Sequence, residues 1–144
     1  VAVSLTQAAL MLGVSVALAS PSGHEVPNDV LERASKIARN GATVRHFPEP
    51  REAVVDADAV YTDVWTSMGQ ESENSKRRDV FSAYQVNEKL MSIANPKALF
   101  LHCLPAHRGE EVTTEVIESQ ASVVFDQAEN RLHTQKALLL MLLS

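Results

Sequence analysis

The sequence is poor in the residues from which several common kinds of site are built. It has one cysteine and five glycines among 144 residues. A single cysteine excludes an internal disulfide and fits a reducing compartment, so we expect a cytoplasmic location. The glycines form neither a G-x-G-x-x-G segment nor a P-loop. The two commonest phosphate-binding loops of nucleotide-binding proteins are therefore excluded.

Charge and hydropathy exclude further classes of protein. The net charge is −5 and no block of like charges occurs, so the basic face that a nucleic acid requires is missing. The longest apolar run, residues 137–143, is too short to span a bilayer. The chain opens without Met and without the basic segment of a signal peptide. Because a helical pattern starts almost at Val1, we expect a piece of a longer chain.

The remaining composition is that of a folded domain, with 45% hydrophobic and 22% charged residues. Short apolar runs alternate with helical patterns along the whole chain, which predicts an α/β fold. We expect a three-layer αβα arrangement around a mostly parallel, Rossmann-like sheet. The predicted strands are residues 14–19, 42–47, 59–64, 98–104 and 121–126. The predicted helices lie near residues 5–12, 28–38, 50–57, 87–94, 113–117 and 130–143, with Asn87 and Thr113 as the N-caps of the two helices that begin there. Residues 65–79 are predicted to form a long polar loop.

Chemically useful side chains follow three of the predicted strands. Right-handed crossovers bring the carboxyl ends of parallel strands to one edge, where open α/β sheets bind their ligands. The segments at that edge are Asp63–Glu71, His102–Pro105 and Asp126–Arg131. Together they offer a carboxylate, a hydroxyl, a thiol and a guanidinium.

Each of these groups also has a purely structural interpretation. Asp63 can cap a turn, Ser67 can be ordinary loop polarity, and Cys103 can be a small buried hydrophobe. Arg131 lies in the first turn of a predicted helix, where the dipole disfavours a cation. That position favours another task for Arg131, although a surface ion pair is the usual outcome.

Two catalytic alternatives for Cys103 have little support. A nucleophilic thiol requires a base within hydrogen-bonding reach, and His102, as the preceding residue of a strand, points to the opposite face. His107 or His133 remains available as a base, but nothing in the sequence positions either. A metal site from His102, Cys103 and His107 lacks the paired spacing of structural zinc sites. We therefore expect neither a metal nor an organic cofactor.

The three segments resemble the aspartate/ornithine carbamoyltransferase family, and its ornithine branch in particular. The matching residues are Asp63-Val64-Trp65-Thr66-Ser67-Met68-Gly69-Gln70-Glu71, His102-Cys103-Leu104-Pro105 and Glu129-Asn130-Arg131. The resemblance extends over residues 1–144 but covers only the second half of the family's two-domain chain. It implies that this chain is the ornithine-binding domain, and that the carbamoyl-phosphate domain, with its Ser-Thr-Arg-Thr and His-Pro-x-Gln motifs, is absent from this sequence.

The resemblance implies a role for each matching residue. Asp63 would hold the side-chain amine of L-ornithine, and Ser67 with Met68 would contact its α-amino and α-carboxylate end. Cys103 would lie beside both the amine and the carbamoyl group. Leu104 would offer its backbone carbonyl to the carbamoyl NH2, and Arg131 would bind the carbamoyl oxygen of carbamoyl phosphate. The implied reaction is direct transfer to ornithine, giving L-citrulline and phosphate, without a carbamoyl-cysteine intermediate.

The resemblance also implies what surrounds this segment. The family's first strand of this domain, with its two asparagines, would precede Val1, and Val3 stands where the family has a histidine. The full-length enzyme would be a homotrimer, and this segment alone would be inactive. Two alternatives remain open: a carbamoyltransferase acting on a related amine or amino acid, and a non-catalytic α/β binding module.

Overall fold

The computed structural model describes residues 1–66 and 74–144, with the side chains of residues 74–76 left aside. In this part of the chain, helices alternate with four short strands. The helices are α1 (Ala2–Met11), α2 (Asn28–Lys36), α3 (Pro50–Ala53), α4 (Asn74–Phe81), α5 (Glu88–Met91), α6 (Thr114–Ile117) and α7 (Val124–Leu143). The strands are β1 (Val16–Ala19), β2 (Val44–Phe47), β3 (Ala59–Thr62) and β4 (Leu99–His102).

The chain divides into two compact units, Val1–Val55 and Asp56–Ser144. In the first unit, β1 and β2 pair in parallel, and Leu10 of α1 and Ala34 of α2 are fully buried. Gly13 ends α1 in a left-handed conformation with φ +81°. A Cβ atom at this position would lie 2.8 Å from the Asn40 amide nitrogen, so glycine is required there.

The second unit contains the parallel pair β3 and β4, with Thr62 opposite His102 at the carboxyl ends. Phe100 and His102 of β4 are buried, whereas Leu99 on the other face is exposed, so one face of this strand packs in the interior. Two short helices begin at the caps that the sequence predicts. Asn87 accepts from the Leu90 amide, and Thr113 accepts from the Val116 amide.

Two predicted elements differ in the structure. Residues 121–126 are not a strand: Ser122 forms an isolated parallel bridge with Phe100, and α7 already begins at Val124. Strong helix formers follow at once, and Asp126 lies in the first turn, where a negative charge stabilises a helix. The predicted loop 65–79 is also wrong in its second half, because α4 begins at Asn74.

The parallel α/β class is confirmed, but the predicted five strands are reduced to four in the described residues. These strands form two separate two-stranded sheets, and no pairing joins β2 to β3. None of the helices described combines the length and apolarity that a bilayer span requires.

Candidate active site

The carboxyl ends of β3 and β4 bring Asp63 and Cys103 together. β3 and β4 are paired up to Thr62 and His102, so the residues that follow the two strands, Asp63 and Cys103, leave the sheet at the same level. The Cys103 thiol donates a hydrogen bond to Asp63 Oδ1, with 2.9 Å between Sγ and the oxygen. Two of the side chains singled out in the sequence are therefore in direct contact, 40 residues apart along the chain.

The Asp63 carboxylate keeps one oxygen available. Oδ1 accepts both from the Cys103 thiol and from the Val64 amide, the latter over 2.8 Å. Among residues 1–66 and 74–144, no group donates a hydrogen bond to Oδ2. A carboxylate that is oriented through one oxygen and open at the other is suited to binding an ammonium group.

The Cys103 thiol is held in its protonated form. Burial is the largest cause that raises its pKa above the ordinary value, followed by the hydrogen bond to Asp63 and the charge of that carboxylate. A nucleophilic cysteine requires the opposite shift, because the thiolate is the reactive species. The geometry agrees, since among the described residues no histidine hydrogen-bonds to Cys103. Cys103 is thus a neutral donor.

Tyr61 and Gln127 belong to the same network and were missed by the sequence interpretation. The Tyr61 hydroxyl lowers the pKa of the Cys103 thiol and partly offsets the causes that raise it. Gln127 of α7 donates from Nε2 to the Tyr61 hydroxyl over 3.4 Å and accepts from the His102 amide over 3.0 Å. Strand alternation would have found Tyr61, which lies two residues before Asp63 on the same face.

His102 points away from Cys103, as the strand alternation predicts. Its Nε2 lies 3.2 Å from Glu111 Oε1, and both side chains are completely buried. The same oxygen accepts from the His107 amide over 2.6 Å. The Leu104 amide donates to His102 Nδ1 over 2.8 Å. His102 therefore contacts the candidate site through the backbone of the segment that carries Cys103.

Arg131 lies within α7, and its side chain is exposed. In the part of the chain that the structure describes, it forms no hydrogen bond or ion pair with Asp63 or Cys103. It follows Gln127 by four residues, so the two side chains share one face of the helix. Ser67 and Met68 lie outside the described residues.

The metal site weighed in the sequence is not assembled as a unit. His102 is hydrogen-bonded to Glu111, and Cys103 is hydrogen-bonded to Asp63. A different group, His107, Glu110 and Glu111, has potential ligand atoms within 4.8 Å of one another. Glu110 is already paired with Arg78, and Glu111 Oε1 accepts two hydrogen bonds. Glu111 Oε2, by contrast, is buried without a hydrogen-bond partner among the described residues and lies 4.0 Å from His107 Nδ1.

Comparison with known proteins points to one family. The family model described as "Aspartate/ornithine carbamoyltransferase, Asp/Orn binding domain" matches residues 1–142. An ornithine carbamoyltransferase of Geobacillus stearothermophilus is 54% identical over 144 residues, covering 99% of this chain and 46% of the relative. This chain thus spans about half the length of the curated relatives it matches.

Solved structures agree with the sequence match. The ornithine carbamoyltransferase of Pyrococcus furiosus superposes with a TM-score of 0.90 at 52% identity, covering 96% of this chain and 45% of that one. An N-acetyl-L-ornithine transcarbamylase variant superposes with a TM-score of 0.83 at 30% identity, covering 96% of this chain and 43% of that one. From the match over nearly its whole length, the chain belongs to the aspartate/ornithine carbamoyltransferase family and corresponds to its Asp/Orn-binding domain.

Proposed function

We propose that this chain is the ornithine-binding half of an ornithine carbamoyltransferase. The full-length enzyme transfers the carbamoyl group of carbamoyl phosphate to the side-chain amine of L-ornithine, giving L-citrulline and phosphate. The observation that carries the proposal is the contact between Cys103 Sγ and Asp63 Oδ1 at the carboxyl edge of β3 and β4. It joins two of the three motifs by which the sequence resembles the ornithine branch.

The charges fit the binding of an ω-amino acid. Ornithine presents an ammonium group at the end of its side chain, and Asp63 offers the open oxygen Oδ2 to it. The neutral Cys103 thiol adds no second negative charge, so it can lie beside both the amine and an uncharged carbamoyl group. Ser67 and Met68 are proposed to contact the α-amino and α-carboxylate end of the substrate.

The chemistry of the transfer requires little covalent participation by the protein. The ammonium loses a proton, and its nitrogen then attacks the carbamoyl carbon. The carbon–oxygen bond to phosphate breaks after a tetrahedral centre has formed. Positioning of the two reactants can supply most of the rate acceleration. Asp63 and Cys103 orient the amine, and the Leu104 carbonyl accepts from the carbamoyl NH2.

Arg131 is proposed to stabilise the oxygen that becomes negative in the tetrahedral centre. Its neighbour on the same helix face, Gln127, contacts both Tyr61 and the His102 amide. Side chains four residues apart on a helix have Cβ atoms about 5–6 Å apart, and long ones lean towards the helix amino terminus. The position of Arg131 on this face of α7 supports its proposed role.

Assembly and location are part of the same proposal. The full-length protein is proposed to form a homotrimer, with carbamoyl phosphate bound by the half that this sequence does not include. A cytoplasmic location fits the free thiol of Cys103, which is stable in a reducing compartment.

The direct test measures citrulline formation by the full-length protein from carbamoyl phosphate and a set of amines. We expect turnover with L-ornithine and much slower turnover with putrescine, N-acetyl-L-ornithine and L-aspartate. Faster turnover with one of those amines would support the related-substrate alternative. Binding of ornithine without citrulline formation would favour a binding module. The 144-residue chain alone is expected to form no citrulline, and formation by it would contradict the proposal.

A further inference from the structure

A completely buried hydrogen-bonded pair, His102 and Glu111, lies directly behind the candidate site. The side chains of His102 and Glu111 are both 0% exposed, and Nε2 of the histidine is 3.2 Å from Oε1 of the glutamate. Burial of a carboxylate is costly unless hydrogen bonds compensate it, and Glu111 Oε2 is buried without a hydrogen-bond partner among the described residues. A structural reason alone therefore does not account well for its presence.

The hydrogen bonds assign the tautomer of His102. The Leu104 amide can only donate, and it points at Nδ1 over 2.8 Å, so Nδ1 carries no proton. The ring proton of a neutral imidazole then lies on Nε2 and is donated to Glu111 Oε1. Hydrogen-bond donation therefore runs from the Leu104 amide to the His102 imidazole, and from the imidazole to the Glu111 carboxylate.

Glu111 is itself held firmly by the backbone around it. Its carbonyl oxygen accepts from the Val86 amide over 2.9 Å, and the next residues continue this pairing through the bridge between Val86 and Val112. Its carboxylate also accepts from the His107 amide over 2.6 Å. The carboxylate thus ties together the two ends of the loop that begins at Leu104.

Leu104 needs such support because its backbone is strained. Its φ angle is +53°, a left-handed conformation that residues with a branched side chain rarely adopt. Such a conformation persists only where surrounding contacts enforce it, and it is frequent at functional sites. The hydrogen bond from the Leu104 amide to His102 Nδ1 is one contact that supports this conformation.

We propose that Glu111 and His102 are positioning residues, which hold the Cys103–Leu104 segment so that the thiol and the Leu104 carbonyl face the substrates. Glu111 orients the imidazole and fixes its tautomer, and the imidazole fixes the Leu104 amide. The assignment of the held groups to substrate binding rests on the proposed function. The geometry of the held segment does not depend on it.

Two substitutions of His102 test its two hydrogen bonds separately: the one from the Leu104 amide and the one to Glu111. In His102→Asn, Oδ1 replaces Nδ1 as the acceptor for the Leu104 amide, but the link to Glu111 is lost. In His102→Gln, an amide NH2 can still reach Glu111, but no acceptor remains for Leu104. We expect His102→Gln in the full-length protein to lower kcat/KM for ornithine about tenfold, and His102→Asn to stay within about threefold of the parent.

The rate at which iodoacetamide alkylates Cys103, followed by mass spectrometry of its peptide, measures the same segment without turnover. We expect the alkylation rate of Cys103 to change about tenfold in His102→Gln and Glu111→Leu. The same rate should change little in His102→Asn and Glu111→Gln. Asn95→Ala is the matched control, because it removes hydrogen bonds to Asp58 and from the Lys97 amide near the amino-terminal ends of β3 and β4, away from the site.

The possible outcomes are distinguishable. Equal effects of the Asn and Gln variants of His102, or changes in alkylation that follow the melting temperature and recur in Asn95→Ala, would overturn the positioning role. If the parent makes no citrulline, the proposed function fails while the alkylation result still decides the positioning role. If the His102 variants do not fold, hydrogen exchange at the Leu104 amide of the parent decides it. Exchange as fast as at an unbonded loop amide would refute the proposal.

Discussion

The Cys103 thiol and the Asp63 carboxylate meet at the carboxyl edge of β3 and β4, with Sγ 2.9 Å from Oδ1. Their contact makes each residue dependent on the other. Burial, followed by the hydrogen bond and charge of Asp63, raises the pKa of the thiol, and the thiol donates to Oδ1 of the carboxylate. Replacement of Asp63 should therefore alter the reactivity of the Cys103 thiol. Replacement of either residue should alter the binding of an amine.

Replacement of Cys103 by Ala in the full-length protein should raise KM for ornithine and lower kcat, each by about tenfold. The physical reason is the loss of one hydrogen bond to a charged group, which is worth about 1.5–3 kcal/mol. Steady-state citrulline assays measure both constants. Cys103→Ser retains a donor and should lose less. Unchanged kinetics in the Ala variant would contradict the role given to the thiol.

Replacement of Asp63 by Asn should make Cys103 more reactive while it weakens ornithine binding. The hydrogen bond and the negative charge of Asp63 both raise the pKa of the thiol, so their removal lowers that pKa. At a fixed pH below the pKa, a larger thiolate fraction reacts with iodoacetamide. The pH profile of Cys103 alkylation should move to lower pH, and a shift to higher pH would show that the electrostatic argument is wrong.

Replacement of Tyr61 by Phe should remove a pH-dependent loss of stability that the parent shows at alkaline pH. Burial, followed by the neighbouring Cys103, raises the pKa of Tyr61 from 10.0 to about 12. The folded state therefore favours the neutral phenol. This contribution is complete below pH 10 and is lost as the pH rises to about 12.

Urea unfolding of the parent and of Tyr61→Phe between pH 8 and about pH 12 tests this sign. The parent should lose stability more steeply than the variant above pH 10. Ultraviolet difference spectra of the same two proteins should assign a phenol titration near pH 12 to Tyr61. Parallel stability curves throughout the range would contradict the prediction.

Replacement of Arg131 by Met should lower kcat by about 10²–10³, because a developing negative oxygen loses its cation. The KM for ornithine should change little. Lys136→Met is the matched control, since it removes another exposed cation of α7. Equal kcat values for the two variants would remove Arg131 from the proposed mechanism.

Local sequence patterns predicted the elements that depend on local contacts. Asn87 and Thr113 cap helices as predicted, because an N-cap side chain bonds to an amide only two or three residues ahead. The pairing of β3 with β4 was likewise predictable from two apolar runs ending at one edge. The start of α7 was not, because residues 121–126 are apolar enough for a strand while their neighbours favour a helix. Competition between those two tendencies is decided by packing.

The sequence alone was sufficient to predict that Asp63 and Cys103 meet, since both lie at the carboxyl ends of predicted parallel strands and parallel strands end at a common edge. It offered no means of finding Glu111, because a glutamate in a polar segment is normally exposed. Only the tertiary structure buries this carboxylate against His102, across nine residues and a turn with left-handed Leu104. The physical reason is that a buried charge is tolerated only where several donors converge on it, and such convergence depends on the folded chain.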